Sequence, residues 1–322
     1  EEAIEALLDD AGEAPGGSSA ETKGNGDFAA RYVELVCERF GAPLGGLGVA
    51  VDCANGAMFD VGPAAFERLG AHVVTIGNRP DGTNINVGCG ATDLRLLSET
   101  VRDGEFDVIS DHTGLLGLAL GSMGPTPFAH TVPGPLSGEP GKLYQQITAM
   151  VPHAALIAVS DVQRRPLPDL PWVATCANAL DLSLYPFMPD RGDYLLFLGR
   201  MTADKGAHRA VAVAMESGLP LKLAGKCREP LEQRYFDELV RPHLSDRIEY
   251  VGEVTHGEKV ELLQHARATL FPIEWDEPFG LVMIESMACG TPVIATRFGA
   301  VPEVIEDGVS GVIVDRWADM PG

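Results

Sequence analysis

Two glutamates separated by eight positions, Glu277 and Glu285, carry the clearest chemical signal in this sequence. The apolar pattern Ala268–Pro272 predicts a strand before them, and the residues between them predict a loop that opens directly into a helix. In open α/β sheets, ligands bind where such loops leave the carboxyl ends of strands, and a helix N-terminus offers N–H groups to a phosphate. We therefore expect one carboxylate on the loop and one in the helix to hold sugar hydroxyls on either side of a diphosphate.

Two basic residues lie on a second loop of the same kind. Arg200 and Lys205 follow the predicted strand Tyr194–Gly199, and a helix is predicted after Gly206. Arginine binds phosphate oxygens in bidentate fashion, and lysine supplies a mobile positive charge. For either residue alone, a solvated surface turn is the favoured interpretation. Because both loops are predicted at the same edge of the same sheet, their combination favours an anion-binding site.

Alternating strands and helices must position these loops, and the alternation predicts an α/β fold with two doubly wound, Rossmann-like sheets joined near Cys176–Phe187. The strands predicted in the first part are Leu47–Val51, His72–Ile76, Phe106–Ser110, Thr126–Thr131, Ala155–Val159 and Trp172–Thr175. The helices predicted there are Asp27–Phe40, Pro63–Leu69, Leu94–Val101 and Gly114–Gly124. The second part has predicted strands at Tyr194–Gly199, Pro220–Ala224, Ile248–Val251, Thr269–Pro272, Pro292–Thr296 and Gly311–Val314. Its predicted helices are Ala207–Ser217, Leu231–Leu244, Glu258–Arg267 and Leu281–Cys289.

Composition and charge narrow the class of protein. The 322 residues, 45% of them hydrophobic and 22% charged, are sufficient for two globular domains. The net charge of −22 argues against nucleic acid and anionic membrane surfaces as partners. Apolar runs are too short to cross a bilayer, and no charged-then-apolar leader opens the sequence. The six cysteines form neither a C-x-x-C pair nor a His–Cys cluster, which argues against a disulfide framework and a zinc site. We expect a cytoplasmic protein without stable membrane insertion.

Residues from about 92 to 317 resemble a family 4 glycosyltransferase of the GT-B fold. The segments that carry this resemblance are Phe106–Gly114, Ser160–Arg165, Leu198–Arg200 with Lys205 and Gly206, Glu277–Glu285, and Gly299–Glu303 with Asp307, Gly308 and Gly311. The resemblance implies a retaining transfer of a sugar from a nucleotide-diphosphate sugar to an unidentified acceptor. It also implies that the reaction needs no bound metal and no cofactor besides the donor substrate.

The resemblance also implies roles for individual residues. Arg200 and Lys205, next to Gly199, would bind the diphosphate and stabilise the negative charge that develops as the sugar–phosphate bond breaks. Glu277 would bind the donor sugar, and Glu285 would bind the ribose hydroxyls.

Further contacts to the sugar are implied on both sides of the cleft. The backbone N–H groups of Phe279, Gly280 and Leu281 would line its hydroxyls and the phosphate, and His112 would contact it from the facing domain. Two of these roles have alternatives, because His112 could instead cap the following helix from a turn and Glu285 could be an exposed helix carboxylate.

The first 92 residues resemble a different family. They are similar to an internal segment of phosphoglucosamine mutase or a related phosphohexomutase, through Arg31–Glu34, Val51–Ala57, Gly77–Asn86 and Cys89–Asp93. By this resemblance, mutase chemistry needs a phosphorylated serine loop and an Asp-Gly-Asp-x-Asp-Arg metal loop. The sequence shows neither, and Ser110–Gly114 stands where the metal loop is expected. We therefore expect mutase activity to be absent.

The two resemblances predict three parts in the chain. Residues 1–92 form the phosphohexomutase-like segment, 93–177 the remainder of the first GT-B-like domain, and 178–322 the donor-binding domain. We expect the first segment to supply a βαβ unit with substitute strands for the first sheet, which makes that domain a hybrid. Two alternatives to an active enzyme follow, namely a nucleotide-sugar-binding hybrid without transfer activity and an unproductive hybrid whose first segment is only a structural surface.

Overall fold

The computed structural model describes a few residues between 30 and 38 and then residues 42–321 with short gaps. The gaps fall at 56–58, 82–83, 85–86, 91–92, 105, 108, 112–113, 122–125, 181 and 191. The described chain forms two compact units. Unit 1 comprises its residues up to 130 and residues 146–155, and unit 2 comprises residues 131–145 and 156–321. The predicted helix Asp27–Phe40 falls only partly on described residues, and these are helical.

Unit 1 contains two separate pairs of parallel strands. Strand β1 (Gly48–Asp52) pairs with β2 (His72–Ile76), and β3 (Ile109–Asp111) pairs with β4 (Phe128–Thr131). Its helices are α1 (Val61–Arg68), α2 (Arg95–Asp103) and α3 (Leu115–Gly121). In the described residues, β1 and β2 form a two-stranded sheet of their own. The expected addition of these strands to a common first sheet is therefore not what the structure shows.

Hydrogen bonds within the mutase-like segment connect the end of β1 to the segment's loops. The Asp52 carboxylate accepts hydrogen bonds from the backbone N–H groups of Ala54 at 2.9 Å and Gly90 at 2.8 Å. The Asn55 side-chain amide donates to the backbone oxygen of Asn84 at 3.3 Å. These bonds connect the end of β1 to the loop that follows β2, within the local βαβ unit that β1, α1 and β2 form.

Unit 2 begins with a short α/β segment. Residues 156–158 of β5 (Ala154–Ala158) pair in parallel with β6 (Trp172–Thr175), and helix α5 (Asp161–Arg164) lies between them in the chain. The preceding helix α4 (Glu139–Met150) is missing from the sequence prediction. It begins with Glu-Pro-Gly, a composition typical of turns, although proline is well tolerated in the first turn of a helix.

A six-stranded parallel sheet dominates unit 2, with the strand order β12-β11-β10-β7-β8-β9. Its strands are β7 (Tyr194–Leu198), β8 (Leu221–Ala224), β9 (Ile248–Gly252), β10 (Ala266–Phe271), β11 (Val293–Thr296) and β12 (Gly311–Val314). Its helices are α6 (Ala207–Ser217), α7 (Pro230–Leu239), α8 (His256–Gln264), α9 (Leu281–Ala288) and α10 (Val301–Val304). The chain runs outward from β7 in one direction and from β10 in the other, so the strand order reverses between these two central strands. Such a switch point opens a crevice at the carboxyl ends of the strands.

Apolar residues bury both faces of this sheet. Leu195 and Phe197 of β7 pack into a cluster with α6, whereas Leu196 joins a second cluster on the opposite face together with Leu263 of α8. A third cluster, which includes Met283 of α9, packs around β10 and β11. Each fully buried leucine contributes roughly 1.5–3 kcal/mol. The strands that carry the site loops therefore belong to a well-packed core.

Two helices of unit 2 end several residues before their predicted ends. The predicted helix Leu231–Leu244 ends as α7 at Leu239 and gives way to a 3₁₀ turn that contains Pro242, which lacks an N–H donor. The predicted helix Glu258–Arg267 ends at Gln264, because Ala266 already belongs to the buried strand β10. Across the described residues the longest helix, α4, has 12 residues, and no helix has the length and apolar character that crossing a membrane requires.

Candidate functional site

The two loops with predicted site residues leave neighbouring strands at the switch point. Strand β7 ends at Leu198 and is followed by the loop with Gly199, Arg200 and Lys205. Strand β10, which pairs with β7, ends at Phe271 and is followed by the loop with Glu277. The fold of unit 2 thus places the basic loop and the first glutamate at one crevice, as the sequence predicts.

Lys205 and Glu277 form a largely buried ion pair. The distance from Lys205 Nζ to Glu277 Oε2 is 2.5 Å, and the two side chains are 19% and 10% exposed. The same ammonium lies 4.7 Å from the ring centroid of Trp275, within cation–π range. Removing one member of a buried pair leaves an uncompensated charge and costs about 3–5 kcal/mol. Both side chains are therefore held in one arrangement before any ligand binds.

The backbone that carries Glu277 is held by its neighbours. The N–H of Ala300 donates to the backbone oxygen of Glu277 at 2.9 Å. Gly299 has a φ of +51°, and a Cβ at this position would clash with the backbone N and O of Glu277. Only glycine allows this close approach, which explains physically why the segment that begins at Gly299 is part of the site.

Arg209 on α6 fixes the distance between the two loops. It is buried, donates to the backbone oxygen of Pro272 at 2.9 Å and pairs with Glu274 at 2.5 Å. Gly206, which precedes α6 with a φ of +82°, also approaches Pro272, because an added Cβ would lie 2.6 Å from that oxygen. Sequence reasoning missed Arg209, although a charged residue among the buried positions of an amphipathic helix was the available signal.

Arg200 has a different environment from Lys205. Its side chain is 53% exposed and forms an ion pair of 3.7 Å with Asp204 in its own loop. The adjacent Gly199 donates its N–H to the backbone oxygen of Ala224 at 3.0 Å, and a side chain at Gly225 would clash with the Gly199 oxygen. The start of the loop is therefore fixed against β8, while the guanidinium of Arg200 faces solvent and can reach a ligand.

Glu285 is buried and has its own partners. Its Oε1 accepts hydrogen bonds from the Tyr185 hydroxyl at 2.8 Å and from Lys259 Nζ at 3.0 Å. The alternative of an exposed helix carboxylate therefore does not match the structure. Burial, together with the charge of Glu285, raises the pKa of the nearby Cys289 thiol to about 11, so this cysteine is not a thiolate nucleophile at neutral pH.

The N-terminus of α9 lies between the two glutamates. It begins after Gly280, which has a φ of +85° and provides no side-chain cap. Phe279 is buried, whereas Leu281 is exposed at the start of the helix. The helix end thus lacks the side-chain acceptor that usually satisfies its first N–H groups, and it is suited to an anionic group.

His112 lies outside the described residues, so its placement stays a prediction. Its neighbour Asp111 is buried in unit 1, where its Oδ2 lies 2.5 Å from Nδ1 of the fully buried His130. These two residues face each other in the register of β3 and β4. Sequence reasoning did not identify this pair, because nothing local signals a contact between side chains of two strands 19 residues apart.

A cavity of about 110 Å³ adjoins Glu277 within unit 2. One wall consists of residues 276–278 and Gly299, and the other consists of the loop 135–137 together with residues of α5 and the turn after it. Its volume is well above the roughly 10–15 Å³ that a single water needs. Carboxylate, amide, hydroxyl and guanidinium groups border it, namely those of Asp276, Glu277, Gln163, Ser137 and Arg165. The other lining residues include Pro135, Leu136, Val162, Pro166 and Pro278, so most of the lining is apolar. A mostly apolar cavity with a few polar groups suits a ligand that has both apolar and hydroxyl-bearing faces, such as a sugar ring.

Comparison with known proteins gives two separate sequence matches. The family model described as "Glycosyl transferases group 1" matches residues 187–319. The N-terminal segment matches phosphoglucosamine mutase of Pelotomaculum thermopropionicum with 45% identity over 115 residues, which is 34% of this chain and 26% of that protein. The chain therefore spans about a quarter of the length of this curated relative.

Solved structures agree with the architecture. Anabaena HepE in complex with UDP and glucose matches with a TM-score of 0.62 and 20% identity, over 93% of this chain and 84% of that chain. AviGT4, a glycosyltransferase involved in avilamycin A biosynthesis, matches with a TM-score of 0.52 and 26% identity, over 78% of this chain and 72% of that chain. These matches confirm the predicted α/β fold of the GT-B type. Residues 187–319, which carry the ion pair and the uncapped helix, match the model of the group 1 glycosyltransferases, and the N-terminal segment is similar to a piece of the phosphoglucosamine mutases.

Proposed function

We propose that the protein is a retaining glycosyltransferase that moves a sugar from a nucleotide-diphosphate sugar to an acceptor. The observation that carries this proposal is the Lys205–Glu277 pair at the switch point, next to the uncapped N-terminus of α9. In this arrangement the diphosphate binds Lys205, Arg200 and the helix end. The sugar binds beside Glu277 in the adjoining cavity, and the ribose binds near Glu285.

The ion pair and donor binding are compatible. Lysine has three N–H donors and a carboxylate has several acceptor positions, so Lys205 can contact a phosphate while it stays paired with Glu277. The pair then orients the carboxylate towards the sugar hydroxyls. Because the chain carries a net charge of −22, the anionic donor depends on these local positive groups.

The proposed chemistry uses the protein's own charges. The bond between the anomeric carbon and the diphosphate breaks, the acceptor oxygen attacks from the same face, and the leaving diphosphate takes the acceptor's proton. Lys205, Arg200 and the α9 N-terminus stabilise the charge on the leaving group, which is the contribution a metal would otherwise make. The proposal therefore includes neither a metal nor a cofactor. All six cysteines are unpaired, which supports action in the cytoplasm.

A second candidate is a hybrid that binds nucleotide sugar without transferring it. The separate β1–β2 sheet favours this candidate, because the mutase-like segment does not rebuild a common first sheet in the described residues. On this alternative the donor residues of unit 2 stay functional, and no suitable acceptor surface forms.

A screen of UDP-, GDP- and ADP-sugars by thermal stabilisation tests the proposal, with UDP-glucose first because HepE was solved with UDP and glucose. A ligand at 100 times its Kd stabilises the folded state by about 2.7 kcal/mol. Nucleotide release is then measured with the best binder and a panel of acceptors. A shift with turnover supports the enzyme, a shift without turnover supports the binding hybrid, and no shift with any donor refutes both.

Two variants test the assigned residues. We expect Glu277→Gln to lower turnover about 100-fold or more, because it removes a charge that orients both Lys205 and the sugar. We expect Arg200→Ala to weaken binding of the diphosphate. Arg316→Ala is the matched control, because Arg316 pairs with Asp319 in its own turn as Arg200 pairs with Asp204. Equal behaviour of the two arginine variants would contradict the role of Arg200.

A further inference from the structure

Glu303 joins the two walls of the cavity beside Glu277. It lies on α10, and its carboxylate accepts a hydrogen bond from the backbone N–H of Asp161 at 2.8 Å and another from Val162 at 2.5 Å. The side chain is 29% exposed, and the guanidinium of Arg165 lies 4.0 Å from it. Hydrogen bonds to a charged acceptor are roughly twice as strong as neutral ones, so this is a firm contact between segments about 140 residues apart.

The cavity wall formed by the loop 135–137 and α5 depends on the contact between Glu303 and α5. Asp161 and Val162 begin α5, and the next residue, Gln163, is buried. The Gln163 amide donates to the backbone oxygens of Val132 at 3.0 Å and Gly134 at 2.7 Å. These bonds hold the start of the loop that continues into the cavity-lining residues 135–137. A shift of α5 is therefore transmitted to the whole of this wall.

Glu303 itself is attached to the opposite wall, which residues 276–278 and Gly299 form. Helix α10 begins directly after Gly299 and Ala300, and the N–H of Ala300 donates to the backbone oxygen of Glu277. Because α10 is short and its N-terminal side is bonded to the Glu277 loop, Glu303 and Glu277 are parts of one rigid stretch. The Glu303 carboxylate thus determines how far α5 lies from the Glu277 backbone.

We propose that Glu303 is a positioning residue that sets the width of this cavity, and through it the placement of a sugar against Glu277. The kinetic part of this inference rests on the proposed function. Glu303 is not one of the residues proposed to bind the diphosphate, which are Arg200 and Lys205. Its effect is therefore expected on recognition and transfer of the sugar, and not on binding of the nucleotide.

Amide hydrogen exchange of the ligand-free protein tests the contact independently of activity. In Glu303→Gln we expect exchange at residues 161, 162, 136 and 137 to accelerate about tenfold, because one of the two charge-assisted bonds is lost and the other is weakened. Exchange in β7 and β10 should stay unchanged. Glu306→Gln is the control, because Glu306 is an exposed carboxylate only three positions further on. Unchanged exchange in Glu303→Gln, or equal acceleration throughout the sheet, would overturn the proposal.

A second pair of variants tests the hydrogen bond from its donor, the backbone N–H of Asp161, instead of its acceptor, the Glu303 carboxylate. Asp161→Pro deletes an N–H that Glu303 accepts, and proline suits the first position of a helix after the extended Ser160. Asp161→Ala retains that N–H and loses only the carboxylate. We expect Asp161→Pro to reproduce the local acceleration of Glu303→Gln and Asp161→Ala not to do so. The opposite ranking would contradict the inference even if Glu303 variants folded poorly.

Ligand measurements separate positioning from a purely structural role. With the nucleotide chosen by the donor screen, we expect Glu303→Gln to leave the affinity for the free nucleoside diphosphate within about twofold, and to lower kcat for sugar transfer about tenfold. Equal losses for nucleotide and nucleotide sugar would refute the positioning role. If the wild-type protein binds no nucleotide, the proposed function fails, whereas the exchange results still decide whether Glu303 holds the wall.

Discussion

Lys205 is the residue on which the charge balance of the site depends. Its ammonium lies between the carboxylate of Glu277 at 2.5 Å and the indole of Trp275 at 4.7 Å. The carboxylate offsets its charge, and the negative face of the indole stabilises the cation without consuming a hydrogen-bond donor. An aromatic residue at this position therefore leaves the N–H groups of Lys205 available to a phosphate.

This arrangement predicts a graded response at Trp275. Trp275→Phe retains an aromatic face, and the indole N–H that it removes has no hydrogen-bond partner among the described residues. We expect this variant to bind the nucleoside diphosphate nearly as well as the wild type. Trp275→Leu retains bulk but loses the π face, and we expect a three- to tenfold weaker affinity, since cation–π contacts contribute about 0.5–2 kcal/mol.

Calorimetric titration with the nucleotide that the donor screen selects measures both effects. Trp172→Leu is the matched control, because Trp172 makes a cation–π contact with Arg164 away from Lys205. A Trp275→Phe affinity as poor as that of Trp275→Leu would show that the ring face is not what supports Lys205.

At the scale of elements, close backbone approaches position the site loops. Three glycines with positive φ stand where loops meet, namely Gly206 against Pro272, Gly280 at the start of α9 and Gly299 against Glu277. At Gly206 and Gly299 a Cβ would clash with neighbouring backbone atoms, and at Gly280 it would meet the end of the Met283 side chain. The loops after β7 and β10 are therefore held by packing as well as by their side-chain bonds.

Gly299→Ala is expected to disturb both stability and the site. The left-handed conformation costs alanine roughly 1–2 kcal/mol, and the clash with the Glu277 backbone adds to this cost. Denaturant unfolding should show the loss of stability, and donor affinity should fall as Glu277 moves. Gly257→Ala is the control, because an added Cβ there meets nothing within 4 Å at the start of α8. A Gly299→Ala protein as stable as this control would contradict the described backbone approach.

The sequence also indicates most element boundaries in unit 2. Strands β7 to β12 are found within a few residues of their predicted ranges, because their apolar runs are buried on both faces of a parallel sheet. Helix α4 was missed since its Pro-Gly start reads as a turn, and the end of α8 was misplaced because helix and strand join through a single residue, His265. Local pattern resolves the type of an element better than its ends.

At the scale of the whole molecule, the net charge of −22 is the dominant electrostatic feature. Like charges on a compact surface repel one another and favour expanded states. Many ion pairs in the described residues join exposed side chains, and such pairs contribute little to stability. Added salt screens both the repulsion between like charges and the attraction within ion pairs. Because the repulsion is the larger of the two here, salt should stabilise the folded state.

We expect the midpoint of thermal unfolding to rise by a few degrees when NaCl increases from about 20 to 500 mM, as the Debye length falls from about 20 to 4 Å. Chloride is preferable to sulfate, which also strengthens apolar burial. KCl at the same concentrations is the control, because it gives the same ionic strength and should give the same rise. A midpoint that falls with NaCl would show that attractive ion pairs outweigh the net repulsion.

The kind of fold and the two loops of the site can be predicted from local sequence patterns. Strand alternation, glycine positions and the short spacings from Arg200 to Lys205 and from Glu277 to Glu285 are local properties, and they indicate a doubly wound sheet with an anion-binding edge. The two family resemblances were also legible in the sequence, since motif residues are contiguous.

Which side chains become partners depends on contacts between distant parts of the chain. Lys205 pairs with Glu277, Glu285 binds Tyr185 and Lys259, and Glu303 reaches the start of α5, across separations of 26 to 142 residues. The structure likewise shows that β1 and β2 form their own sheet. These outcomes depend on distances that exist only after the sheet is assembled and on buried polar groups that must find partners there. Spacing along the chain does not encode them.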